Sequence, residues 1–155
     1  MPRRTPGSDN RVLLVCRLLN RRRARYLITG GVAANLHGSV RATKDVDLLI
    51  PKDAANARRV LDALADLPLG ISRELDAEQV ASRPFTIVGD MPRVNLLTVA
   101  CTVTFEKAWP NRIVRRINGI RVKYLGRADL IRSKRTGRAS DRADIEVLLR
   151  LKGAP

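Results

Sequence analysis

Aromatic side chains make up only 3% of this 155-residue chain. Proteins that read RNA on a sheet of stacked aromatics need several exposed rings, so recognition of that kind is disfavoured from the outset. Histidine is scarcer still. His37 is the only one, which excludes a His-rich metal site, and its place in a His-Gly helix end reads as structural. There are two cysteines, Cys16 and Cys101, far apart inside apolar segments. They read as buried thiols in a reducing compartment, and a disulfide framework is disfavoured. No apolar run approaches the ~18 residues of a membrane span, and the opening MPRRTPGSDN has no apolar signal core. The expectation is a soluble, cytoplasmic protein with no membrane partner.

Acidic residues are the other shortage. Fifteen Asp and Glu face thirty Lys and Arg, for a formal net charge of +15. Their distribution is more telling than the total: residues 1–25 carry +7, residues 26–111 carry −1, and residues 112–155 carry +9. Basic ends around a near-neutral centre suit a polyanion held at the flanks, with chemistry between them. The hydrophobic fraction of 45% is ordinary for a globular chain, and the length suits one core without a metal or disulfide staple. A single domain over residues 1–155 is expected, with residues 1–8 as a flexible tail.

Periodicity sketches the elements. A helix is expected from Asp9 or Asn10, as cap, to about Arg23, with Val12, Val15, Leu18 and Leu19 on one stripe. A strand Tyr26–Thr29 runs into Gly30-Gly31 and a helical stretch Val32–Leu36, and Val46–Ile50 is a second strand. Asp53 caps a helix Ala54–Leu67, and a weaker helix covers Glu74–Val80. Phe85–Val88 and Arg93–Ala100 are strands, and Ile113–Ile117 and Ile120–Leu125 form a hairpin on Asn118-Gly119. Phe105 and Trp109 share a helical stripe and read as core. Helices Ala128–Thr136 and Ser140–Lys152 close the chain. The fold class is therefore α/β (α+β), a small mixed sheet flanked by helices.

The chemistry concentrates in Tyr26–Ile50. Asp45 and Asp47 are two residues apart on a strand, so both carboxylates leave the same face among apolar neighbours. Two unpaired carboxylates there repel one another and resist desolvation, a conflict that a hard divalent cation removes. Mg²⁺ takes carboxylate and phosphate oxygen together. Gly30-Gly31, at a strand end that opens a helix, offers bare backbone N–H groups to a phosphate.

Together these residues read Thr-Gly-Gly, thirteen residues, then Asp-Val-Asp-Leu. The pattern resembles the signature of the DNA polymerase β-like nucleotidyltransferase superfamily. Gly38, Arg41, Thr43, Asp45 and Asp47 are similar, more narrowly, to the small bacterial nucleotidyltransferases of abortive-infection and toxin–antitoxin modules. The likeness continues through Val94–Thr98, Phe105–Trp109, the Asn118-Gly119 hairpin, Asp129, Lys134, Gly137-Arg138 and Asp141 with Asp144. It covers roughly residues 10–151.

The resemblance implies an Mg²⁺- or Mn²⁺-dependent enzyme that moves a nucleoside monophosphate from an NTP to an acceptor hydroxyl. In it Asp45 and Asp47 are metal ligands, and Gly30, Gly31, Arg41, Thr43, Lys134, Arg138 and Asp141 contact the nucleotide. One position departs from the family, which places a third carboxylate where this chain has Asn95. A carboxamide can offer a metal its carbonyl oxygen but cannot take a proton. A +15 protein repels cationic acceptors and attracts RNA, so a tRNA 3′ end is the expected acceptor. The alternative is a weakened or inactive member that binds RNA or a cognate toxin or antitoxin protein. A third possibility is an antitoxin that nucleotidylates a protein hydroxyl. Asp90, five residues from Asn95, is a minor candidate to replace the missing carboxylate.

Overall fold

The structure, a computed structural model, describes residues 6–151, with side chains from residue 10 onward. The expected tail lies largely outside the described residues. Helix α1 runs over Pro6–Arg21, so Asp9 and Asn10 lie inside it instead of capping it. Proline suits a first helical turn, where its missing N–H costs nothing.

Strand β1 (Leu27–Thr29) passes directly into α2 (Gly30–Leu36). Gly38, in a left-handed conformation (φ 113°), ends that helix as the sequence suggested. Strand β2 (Val46–Leu49) follows, then α3 (Ala54–Leu64), which Asp53 caps by accepting from Ala55 N–H at 3.0 Å. The weak helix resolves into a 3₁₀ turn, Ile71–Glu74, and α4 (Ala77–Ser82), capped by Asp76. Strands β3 (Phe85–Val88) and β4 (Val94–Leu97) come next.

The single strand expected over Arg93–Ala100 breaks at Thr98, whose Oγ1 donates to the Arg83 carbonyl at 2.9 Å. Beyond it a miniature hairpin forms from β5 (Val99–Ala100) and β6 (Val103–Thr104). Cys101 sits in its two-residue turn with φ 53° and is exposed, which corrects the expectation of a buried thiol. Cys16 is buried as expected, and desolvation raises its thiol pKa to about 11.

Helix α5 (Phe105–Ala108) and a 3₁₀ turn carry Trp109, which stacks on buried Phe105 with ring centroids 5.2 Å apart. Strands β7 (Ile113–Ile117) and β8 (Ile120–Tyr124) pair through Asn118-Gly119, both at positive φ, as a two-residue hairpin turn requires. Helices α6 (Arg127–Ser133) and α7 (Ala139–Arg150) complete the described chain. No described helix is long and apolar enough to cross a membrane.

Six strands form one mixed sheet in the order β3-β4-β2-β1-β8-β7. Strand β1 is antiparallel to β2 and parallel to β8, and β2 is parallel to β4. Paired residues share a face, so the sheet has two distinct sides. One side carries Ile28, Val46, Leu48, Val94, Leu96, Val122 and Tyr124, all buried. The other carries Leu27 and Leu49, which are buried, and also Thr29, Asp47 and Asn95. That second side is where the polar chemistry sits.

Candidate active site

Two register pairs place the site. Thr29 lies opposite Asp47, and Asp47 lies opposite Asn95, so β1, β2 and β4 present their polar side chains in one row. Asp45 precedes β2 by one residue and keeps the two-residue spacing from Asp47. These residues line a cleft of about 490 Å³, together with Gly30, Gly31, Arg41, Thr43, Lys134, Arg138 and Asp141. Apart from Asp90, every residue singled out from the sequence for metal or nucleotide therefore borders one cavity.

Gly30 is constrained on two counts. Its φ of 66° suits glycine, and a Cβ at this position would collide with Asp47 Oδ2. The close approach of backbone to carboxylate explains why the first Gly of the pair has no side chain. At Gly31 a Cβ would come within 3.3 Å of Thr43 Oγ1, a tighter but softer limit. Thr29, the N-cap of α2, makes no side-chain cap to that helix.

Asn95 holds the two carboxylates together. Its Nδ2 donates to Asp47 Oδ1 at 2.7 Å and to Asp45 Oδ2 at 3.4 Å. Its Oδ1 in turn accepts from Arg93 Nε at 3.1 Å, and the same Nε lies 3.6 Å from Asp45 Oδ2. Burial raises the pKa of Asp47. The Asn95 hydrogen bond opposes that rise, and the neighbouring Asp45 charge adds to it. Arg93 was not singled out from the sequence; its position two residues before Asn95 on the strand was the available signal.

The far wall is a charge network. Asp144, buried, accepts from Lys134 Nζ at 2.8 Å and also from Arg41 Nη1. Asp141 accepts from Thr136 Oγ1 at 2.5 Å and from Arg138 Nε at 2.8 Å, with Lys134 Nζ 3.9 Å away. Burial would raise the Asp141 pKa, but the Thr136 and Arg138 hydrogen bonds and the Arg138 and Lys134 charges outweigh it and hold it low. Asp144 thus anchors two of the cations that the resemblance assigns to the nucleotide. Thr136 was not foreseen. The loop that brings Arg41 in is fixed by Asn35, whose side chain bonds both Arg41 N–H and C=O.

Asp90 and His37 lie outside the site. Asp90 accepts backbone N–H bonds from Leu69 (2.9 Å), Met91 (2.7 Å) and Ile71 (3.2 Å). Its carboxylate closes a loop, and it borders no part of the cleft, so it does not stand in for the missing acid. His37 Nε2 bonds the Leu125 carbonyl at 2.7 Å and its ring packs edge-on to Tyr124, a structural role.

The donor set fits a hard cation. Among the described residues no group of three or more His, Cys, Asp or Glu side chains converges as a metal cage. Mg²⁺ does not need one, because it is commonly held by one or two carboxylates and completes its shell with waters and phosphate oxygens. Asp45 Oδ1 and Asp47 Oδ2 have no hydrogen-bond partner among the described residues, and both belong to residues bordering the cleft.

No protein-family model matches the chain, and no curated protein matches it in sequence. Among solved structures it is similar to an antigenic nucleotidyltransferase-like protein from Paracoccidioides brasiliensis. The two are 23% identical over 93% of this chain and 77% of that one, with a TM-score of 0.55. Likeness at this level establishes architecture: the chain has a nucleotidyltransferase-like α+β fold.

Proposed function

We propose that the cleft is a nucleotidyl-transfer site, which uses Mg²⁺ or Mn²⁺ to move a nucleoside monophosphate from an NTP to an acceptor hydroxyl on RNA. The observation that carries this reading is the convergence of Asp45 and Asp47 with Gly30-Gly31 and Lys134 on one cavity. The acceptor oxygen bonds to the α-phosphorus as the α,β-bridging P–O bond breaks, pyrophosphate leaves with that bond's electrons, and the acceptor's proton is released. A metal held by Asp45 and Asp47 would lower the cost of charge on the reacting phosphate oxygens.

The chain's own residues do the rest. Asp45 and Asp47 supply ligand oxygens, and Gly30 leaves room for Asp47 beside the turn. Lys134 presents a fixed ammonium, oriented by Asp144, to the polyphosphate. Arg138 is tied to Asp141 on the rim, with its side chain 74% exposed and free to reach a ligand. Asn95 cannot accept the acceptor's proton, so the proton goes to a carboxylate of the pair or to water.

Calorimetric titration of Mg²⁺ with each NTP, followed by transfer assays with labelled NTP and tRNA, tests the reading. Binding and transfer in the native chain, both lost in Asp45→Ala/Asp47→Ala, support it. No nucleotide binding, or transfer undiminished in that variant, overturns it.

A second reading has its own observation. The Asn95 amide already bridges both carboxylates, so part of the neutralisation a metal would provide comes from the protein. In that reading the chain is a weakened member that binds RNA or a cognate toxin or antitoxin protein, or nucleotidylates that protein. Turnover that is absent in the native chain and appears in Asn95→Asp would favour it.

A further inference from the structure

Outside the cleft, the most unusual charge arrangement is on the β7–β8 hairpin. Residues 112–128 contain six Arg and Lys side chains and no Asp or Glu. The register sets Arg116 directly opposite Arg121, a like-charge cross-strand pair that destabilises a sheet. Lys123 stands two residues from Arg121 on the same face of β8. Among the described residues no carboxylate forms an ion pair with Arg112, Arg116, Arg121 or Lys123. Burial lowers the pKa of Lys123, and the charges of Arg121 and Arg112 lower it further. The guanidinium of Arg112 lies 3.7 Å over the Trp109 ring, and its buried Nε has no hydrogen-bond partner. A concentration of cations held this way lacks an anion.

The register also says which way the cations point. Ile28 pairs with Tyr124, so Lys123 and Arg121 project from the opposite side of the sheet. That is the side of Thr29, Asp47 and Asn95. The basic stripe therefore shares a sheet face with the cleft, one strand beyond β1.

We infer that this stripe is the docking surface for the phosphate backbone of an RNA whose end enters the cleft. The inference rests on the proposed transfer to RNA and adds where that RNA is held. Recognition is of phosphates and not of bases, because both rings at the stripe are occupied: Trp109 is stacked on Phe105 and covered by Arg112, and buried Tyr26 has Lys123 Nζ 5.6 Å from its ring centroid. The hairpin also lacks the apolar anchors of a membrane-surface element: Val114 is its one exposed large hydrophobic residue among those described.

The experiment measures binding of a fluorescent RNA hairpin with a single-stranded 3′ tail, by anisotropy across a salt series. The native chain is compared with Arg116→Gln/Arg121→Gln/Lys123→Gln and with Asp45→Ala/Asp47→Ala. Thermal melts confirm that both variants fold, and Mg²⁺–NTP binding is followed in parallel by calorimetry. The expected result is an affinity loss of at least about tenfold in the hairpin variant. The slope of log K against log salt should flatten by about 2, because each lost phosphate contact removes roughly 0.7–0.9. The hairpin variant should keep nucleotide binding, and the Asp variant should keep RNA binding. Unchanged RNA affinity and slope in the hairpin variant would overturn the inference, as would no RNA binding by the native chain at low salt. Phosphatidylserine vesicles that bind the hairpin more tightly than RNA would also overturn it, in favour of a membrane surface. Loss of nucleotide binding in the native chain with hairpin-dependent RNA binding intact would instead sink the transfer reading alone.

Discussion

The cleft wall and the β7–β8 hairpin are both rich in cations, yet they treat them oppositely. In the wall, Lys134 and Arg41 share Asp144, and Arg138 rests on Asp141. On the hairpin, Arg116 faces Arg121, and among the described residues no carboxylate forms an ion pair with either. Paired cations are fixed in place and ready to orient a small, highly charged ligand. Unpaired cations repel one another and gain most from a long polyanion that displaces its counterions. In the proposed reading, site and stripe differ because orienting and capturing are different tasks.

The sharpest way to break the comparison is to remove the proposed metal ligands. Asp45→Ala/Asp47→Ala should weaken Mg²⁺-dependent nucleotide binding by at least about a hundredfold, read by calorimetry, because among the described residues no third carboxylate converges with this pair. Comparable nucleotide affinity in this variant would show that the cleft works without its central pair.

Next comes Asp144→Ala, which leaves the buried Lys134 without its closest partner. Stranding a buried charge costs about 3 kcal/mol, and the drop should be visible in urea unfolding. Arg121→Gln should change stability by no more than about 0.5 kcal/mol, or raise it, because it relieves a like-charge pair. Equal losses in the two variants would erase the distinction between paired and unpaired cations.

Acid should act on the paired carboxylates. The pKa values of Asp141 and Asp90 are both held below the usual carboxylate value, against the effect of burial: hydrogen bonds do so at both, backbone N–H bonds at Asp90. A depressed folded-state pKa gives stability that is present above about pH 4 and is lost as pH falls through the folded value. Asp90→Asn should lower stability at pH 7 by about 1–2 kcal/mol and shrink the loss on going to pH 3. An unchanged acid profile would show that the loop bonds to Asp90 carry no weight.

A modest effect on stability is expected of Asn95→Asp. It replaces the bridging amide by a third negative charge, so the metal-free fold should lose about 1 kcal/mol. Mg²⁺ affinity should rise, and calorimetry and melting with and without Mg²⁺ would separate the two. A variant more stable than the native chain without metal would mean that Arg93 alone neutralises the cluster.

Much of this was legible in sequence because local rules governed it. The two-residue spacing of Asp45 and Asp47, the Gly30-Gly31 turn, the Asp53 cap and the Asn118-Gly119 hairpin each depend on a few adjacent residues. What escaped depended on partners far along the chain. Asp144 looked like a helix residue until its contacts with Arg41 and Lys134 were seen. Arg93 became part of the site only through Asn95 and Asp45. Cys101 sat in an apolar stretch, but a two-residue turn turned it outward.

Residue pattern by itself determined most of the secondary elements, the α+β class and the identity of the acidic pair, since strand alternation and turn chemistry are short-range. Tertiary structure decided the rest. Strand order set Asn95 against Asp47 and placed Arg121 and Lys123 on that same face. Packing of α6 and α7 chose which cations were neutralised and which were left bare. Net charge is a sum over the chain, but pairing depends on distances of a few ångströms, and only the fold sets those distances.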